Sequence, residues 1–129
     1  MADKKTILWL DDYRDPFENN NEWVRLFCPY KFDEVGCIRW VTSYDEFVAY
    51  IQTNGLPDLI CFDHDLGDIY DKEEKTGYDC AKYLVEYCMD RGLDVPLWAF
   101  QSSNPVGKKN MFHLLNNYHN HYQFEHYDD

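Results

Sequence analysis

The sequence predicts an α/β domain, in which a parallel sheet of about four strands lies between helices in a three-layer sandwich. Short apolar runs alternate along the chain with longer segments of helical periodicity. The runs lack polar alternation, so the strands are expected to be buried on both faces and covered by helices on both sides. Residues 1–129 fit a single domain with one core, and the segment from about 119 to 129 is expected to be a polar C-terminal tail.

Four short apolar runs are the predicted strands. They cover residues 6–10, 37–42, 58–62 and 95–100. A helix is predicted within residues 15–27, although three consecutive asparagines lie inside that segment. No internal repeat or linker interrupts the alternation of strands and helices.

Capping signals mark the starts of the remaining three helices. Ser43 is followed three residues later by Glu46, which is the spacing of a capping box. Thr76 is the predicted N-cap of the helix with the clearest apolar stripe. Asn104 is the predicted N-cap of the last helix, because Pro105 then takes the first helical position, where its missing N–H costs nothing.

Composition excludes several classes of protein. The formal net charge of −12 disfavours non-specific binding to duplex DNA, because basic surfaces drive that binding. The excess of carboxylates indicates solubility, a cluster around a divalent cation, or an acidic face that mimics nucleic acid. There is no apolar run long enough to span a membrane and no signal-peptide pattern, so a cytoplasmic location is expected. The five cysteines form no CxxC pair, which indicates free thiols in a reducing compartment.

Polar clusters directly follow three of the four predicted strands. They are Asp11-Asp12, Asp63-His64-Asp65 and Gln101-Ser102-Ser103-Asn104. In open α/β sheets, ligands bind beyond the carboxyl ends of the strands, where these clusters would converge. Converging carboxylates raise one another's pKa unless a cation lies among them. Asp11, Asp12 and Asp63 are therefore predicted to hold Mg²⁺ or Mn²⁺, and a strand-ending turn is the alternative for the first pair.

The start of the last helix is the predicted phosphate site. Gly107 and Lys108 would present backbone N–H groups at a helix N-terminus, and the Lys108 side chain would add positive charge. The polar residues before them complete the candidate phosphate-binding set, which is Gln101, Ser102, Ser103, Asn104, Gly107 and Lys108. A capped helix without a ligand is the alternative. Asp63, His64 and Asp65 are the candidate catalytic residues, with His64 either a general acid or only a hydrogen-bonding support.

Several of these stretches resemble the receiver domain of two-component signalling, which has a flavodoxin-like fold. The stretches "ILWLDDY", "PDLICFDHDLG" and "VPLWAF" are similar to its first, third and fourth strands, and Asp63 takes the phosphoacceptor position. The likeness implies that Asp11 and Asp12 hold a metal ion. Two features depart from it: Gln101 stands where a receiver has Ser or Thr, and no clear fifth strand and helix follow.

A closer resemblance, over nearly the whole chain, is to the cyclic-phosphate-processing receiver domains. The motifs "LWLDD", "DHDLG", "TGYD" and "QSSNPVGKKNM" occur in that family's order, with Gln101 where the family motif has histidine. The resemblance implies Mg²⁺-dependent hydrolysis of cyclic phosphates on RNA ends or nucleotides. Because an amide does not titrate, the alternative is a module that binds phosphate, a nucleotide or a protein partner without catalysis. A phosphate-accepting receiver is the third reading.

Overall fold

The structure is a computed structural model that describes residues 4–70 and 73–127. Its strands are β1 (Lys5–Leu10), β2 (Val35–Val41), β3 (Leu59–Phe62), β4 (Asp68–Tyr70), β5 (Glu73–Lys75) and β6 (Leu97–Phe100). Its helices are α1 (Glu22–Phe27), α2 (Tyr44–Asn54), α3 (Gly77–Arg91) and α4 (Pro105–Glu125).

The main sheet has four parallel strands in the order β2-β1-β3-β6. This confirms the predicted α/β fold with its parallel four-stranded sheet. β4 and β5 form a separate antiparallel pair between β3 and α3, in a segment with no apolar run to indicate strands.

The two faces of the sheet are covered unequally. Alternate residues of the central strands point to opposite faces, so Leu8 and Ile60 pack in a large core with α2, α3 and α4. Ile7 and Leu59 point the other way into a smaller core that contains Val24 of α1. In the described part of the chain, one short helix, α1, covers the smaller core. At the edge of the sheet, Leu97 on β6 is 56% exposed. Among the described residues β6 is the last strand on this side of the sheet, which accounts for the exposure.

The predicted N-caps are confirmed for three helices, but the Glu46 carboxylate accepts from the Thr42 N–H at 2.7 Å, so it does not complete the capping box predicted at Ser43. The Ser43 hydroxyl accepts from the Glu46 N–H at 3.2 Å, and the Asn104 side chain accepts from the Gly107 N–H at 2.9 Å. Thr76 caps α3 and accepts from the Tyr78 N–H at 3.2 Å. These caps are local, since each joins residues two or three positions apart, and for that reason they can be read from the sequence.

The first predicted helix is shorter than expected. The sequence predicted a helix within 15–27, whereas α1 begins only at Glu22. Asn19, Asn20 and Asn21 have φ angles of 49°, 59° and 61°, in the left-handed region. Asparagine tolerates this conformation because its side chain hydrogen-bonds locally, so the three residues form a turn that delays the helix.

Most of the segment predicted to be a polar tail is the end of α4. The helix continues to Glu125, beyond the expected boundary near residue 119. Asp94 holds this end in place, because its carboxylate lies 2.8 Å from His119 Nδ1 and accepts from Gln123 Nε2 at 3.1 Å. These tethers are polar and carry no apolar periodicity, so the sequence did not indicate them. Among the described residues, no helix is long and apolar enough to cross a membrane.

Candidate metal and phosphate site

Three aspartates meet at the carboxyl ends of β1 and β3. The register pairs Leu10 with Phe62, so the residues that follow, Asp11 and Asp63, lie side by side. Both are buried, whereas Asp12 is exposed. Each of the three aspartates offers a carboxylate oxygen, and these oxygens lie within 4.8 Å of one another. The predicted convergence of Asp11, Asp12 and Asp63 is therefore present in the structure.

An arginine that the sequence analysis did not identify lies beside this cluster. Arg14 Nη1 is 3.1 Å from Asp11 Oδ2 and 3.9 Å from Asp63 Oδ1. Its side chain is 15% exposed, and its guanidinium lies over the Trp23 ring at 5.4 Å. Asp11 Oδ1 accepts hydrogen bonds from the Tyr13 and Arg14 N–H groups, and this turn directs residue 14 back over the cluster. The sequence signal that could have indicated the contact is therefore local, since Arg14 follows Asp11 by three residues.

Burial and the charges of neighbouring side chains shift the pKa of Asp63. Burial raises the pKa of Asp63 to about 7, with a further rise from the neighbouring Asp11 charge, while Arg14 acts in the opposite direction. The positive charge of Arg14 thus does not bring this pKa back to its ordinary value. Three carboxylate oxygens this close together suit a hard divalent cation such as Mg²⁺ or Mn²⁺, because its positive charge would stabilise all three. The donors do not distinguish between these two cations.

A second group of side chains joins β3 to the start of α4. His64 Nδ1 donates to Asp65 Oδ1 at 2.8 Å, and Asn104 Nδ2 donates to the same carboxylate at 3.3 Å. The hydrogen bond from His64 lowers the pKa of Asp65 below its ordinary value. The His64 ring lies against Gly107, where a Cβ would come within 2.3 Å of it. His64 therefore lies on the α4 side and outside the group of three aspartates.

The predicted phosphate-binding residues differ in burial and in their hydrogen-bond partners. Gln101 is 1% exposed, and its Nε2 donates to the Leu10 carbonyl at 2.8 Å, so its side chain links the end of β6 to the end of β1. Its Oε1 is buried without a hydrogen-bond partner among the described residues. The buried Ser102 accepts from the Asn104 N–H at 3.1 Å. Ser103 is exposed.

The last two members of that set differ in accessibility. Gly107 is buried, and its N–H is already bound to Asn104. Lys108 is exposed and lines a separate groove together with Phe100 and Phe112. Phosphate binding by the set of six remains a prediction.

Replacing Arg14 with methionine is expected to lower the free energy of unfolding of the cation-free protein by about 3 kcal/mol, because the buried Asp11 charge loses its partner. Saturating Mg²⁺ or Mn²⁺ should reduce that loss, since the cation restores positive charge at the same carboxylates. Urea denaturation with and without the cation measures both effects. Arg14→Lys is the control that keeps the charge, and an identical loss for Arg14→Met under both conditions would contradict the expectation.

The sheet order and the acidic cluster at its carboxyl edge define a receiver-like α/β domain. The family model of the cyclic-phosphate processing receiver domain matches residues 6–117, so the chain belongs to this family.

A solved structure described as a yeast Spc42 trimeric coiled coil fused to another structure aligns with a TM-score of 0.53 and 18% sequence identity. The alignment covers 85% of this chain and 60% of that chain. At this identity the likeness shows the fold alone. A comparison with curated proteins gives no match.

Proposed function

We propose that this protein hydrolyses cyclic phosphates, on nucleotides or RNA ends, with a divalent cation held by Asp11, Asp12 and Asp63. The observation that carries the proposal is the approach of three carboxylate oxygens to within 4.8 Å at the carboxyl edge of the sheet. Membership of a family named for cyclic-phosphate processing supports the choice of substrate. Burial and the neighbouring Asp11 charge raise the pKa of Asp63, and a cation at this position would offset both effects.

The side chains around the cluster suggest which role each group would have in hydrolysis. When bound, Mg²⁺ or Mn²⁺ supplies Lewis acidity that polarises a phosphoryl oxygen. Arg14 places a guanidinium next to Asp11, where it can also pair with a phosphate oxygen. Asp65 occupies Nδ1 of His64 and fixes the ring, and in the described part of the chain Nε2 has no protein partner. Nε2 is thus the atom at which His64 would hold or release a proton.

The test is hydrolysis of a panel of 2′,3′-cyclic nucleotides with Mg²⁺ or Mn²⁺, compared between the wild type and Asp63→Asn. We expect turnover by the wild type, its loss in a chelator, and a decrease of about 100-fold or more in the variant, because a ligand to the cation is removed. Asp90→Asn, at an exposed position of α3, is the matched control and should behave like the wild type. Undiminished turnover by Asp63→Asn, or none by the wild type, would contradict the proposal.

Gln101 favours a second candidate, a protein that binds the phosphorylated ligand without cleaving it. Its amide does not titrate, is buried, and is engaged with the Leu10 carbonyl. An amide there can position groups but cannot exchange a proton. Calorimetry followed by chromatography of the recovered ligand separates the two candidates, since intact ligand after tight binding supports this one.

Restoring a histidine at position 101 is expected to increase the rate of hydrolysis, because imidazole titrates near neutrality and can still donate to the Leu10 carbonyl. Gln101→Leu is the control, since it removes the hydrogen bond and adds no titrating group. The measurement is the rate with 2′,3′-cyclic nucleotides over pH 5–9. Equal rates in wild type and Gln101→His would show that position 101 takes no part in proton transfer.

A further inference from the structure

A cleft of about 590 Å³ lies beside the candidate site, between the start of α3 and one face of α4. His64 forms one end, Thr76 and Tyr78 come from the α3 side, and residues of α4 form the opposite wall. The volume is within the range of about 300–1,000 Å³ that is usual for small-molecule sites. None of the three aspartates lines it, and of the lining residues His64 is the one next to the acidic cluster in the sequence.

The α4 wall carries a row of polar side chains, two asparagines and a histidine. Asn110, His113 and Asn117 are spaced by three and four residues, which places them on one face of the helix. The row extends for about 10 Å at the helical rise of 1.5 Å per residue. All three are exposed, and in the part of the chain that the structure describes none of their side chains has a hydrogen-bond partner. Their donors and acceptors are thus free for a ligand.

The same cleft offers flat and apolar surface between these polar groups. Tyr78 is half-buried on one wall, and the His113 ring lies on the other with Leu114 beside it. No lysine, arginine, aspartate or glutamate lines the cleft. A ligand that fits these walls is uncharged and planar, with donor and acceptor groups along its edge. Nucleobases have this chemistry: they stack on tyrosine and histidine rings, and asparagine amides bind their edges.

We propose that this cleft binds the nucleobase of a nucleotide whose phosphate end reaches His64 and the aspartates. The orientation of the ligand rests on the proposed function, because that function places the phosphate at the acidic cluster. His64 directly follows Asp63 in the chain and also lines the cleft, so the cleft reaches the segment that carries Asp63. The expected ligand is a nucleoside with a terminal cyclic phosphate, which is either a free nucleotide or the end of an RNA.

The test is calorimetric binding of 2′,3′-cyclic AMP, of adenosine and of inorganic phosphate in the presence of Mg²⁺. Asn110→Ala and Asn117→Ala should each weaken the binding of both adenine compounds about 5- to 10-fold, the effect of losing one or two hydrogen bonds. Inorganic phosphate should bind with unchanged affinity. Asn120→Ala is the matched control, because Asn120 is exposed on α4 and does not line the cleft.

The outcomes separate this inference from the proposed function. Unchanged nucleotide affinity in both cleft variants, or no nucleotide binding by the wild type, overturns the inference, whatever the hydrolysis assay shows. Adenosine binding that Asn117→Ala weakens supports the inference even if cyclic phosphates are not hydrolysed. A short RNA that ends in a 2′,3′-cyclic phosphate tests whether the ligand can be an RNA end as well as a free nucleotide. Weaker binding of this RNA by Asn117→Ala would identify an RNA end as a ligand, in support of the inference.

Discussion

In a chelating buffer at pH 8, Asp63→Asn is expected to be more stable than the wild type by about 1–3 kcal/mol. The pKa of Asp63 is raised to about 7 in the folded protein, against about 3.9 in an unfolded chain. Between these values the folded state binds more protons than the unfolded state, so the contribution of this group to stability is full below about pH 4. It is lost as the pH rises through 7. Asparagine carries no charge at any pH and avoids this loss.

Urea denaturation at pH 5, 6, 7 and 8 measures the effect. The difference in free energy of unfolding between the variant and the wild type should grow in favour of Asp63→Asn over this range. Asp90→Asn again serves as the control, because its carboxyl group is exposed and remote in sequence from the cluster. A difference that does not change with pH would mean that Asp63 is ionised in the folded protein throughout.

The same variant should respond differently to the cation. Because a ligand that binds only the folded state stabilises it, Mg²⁺ or Mn²⁺ at about 100 times its dissociation constant should stabilise the wild type by about 2.7 kcal/mol. Asp63→Asn lacks one of the three carboxylates and should gain much less. Equal stabilisation of both proteins would place the cation elsewhere.

Gly77→Ala is expected to destabilise the protein by about 3 kcal/mol and to weaken cation binding. A Cβ at this position would lie 2.0 Å from the carbonyl oxygen of Asp63 and 3.0 Å from His64 Cα. Both contacts are with backbone, so the start of α3 or the end of β3 has to move, at the cost typical of overpacking. The Gly77 N–H also donates to the His64 carbonyl at 2.8 Å, which ties the two segments together.

Gly92→Ala separates this crowding from the general cost of replacing glycine. Gly92 has φ +65°, and a Cβ there would meet no atom within 4 Å, so only backbone strain of about 1 kcal/mol is expected. Denaturation curves and cation titrations of both variants make the comparison. If Gly77→Ala is no less stable than Gly92→Ala and binds the cation equally well, the close packing of α3 on Asp63 does not matter for the site.

Much of the fold could be predicted from short-range patterns. Apolar runs marked the strands of the main sheet, and the caps at Ser43, Thr76 and Asn104 marked the helix starts. The approach of Asp11 to Asp63 followed from a general rule, because parallel strands end at a common edge. Elements without such a pattern were missed: the β4–β5 pair is charged and short, and the end of α4 is held by polar contacts to Asp94.

By itself the sequence determined the type of sheet, the family resemblance and the acidic residues at the strand ends. Only the tertiary structure decided which side chains face which partner. It placed Arg14 beside Asp63 and Trp23, buried Gln101 against the Leu10 carbonyl, and set His64 against Gly107 and outside the group of aspartates. The physical reason is that strand periodicity and caps depend on neighbours along the chain. The direction of a side chain in a loop depends on contacts with residues that the fold brings from elsewhere.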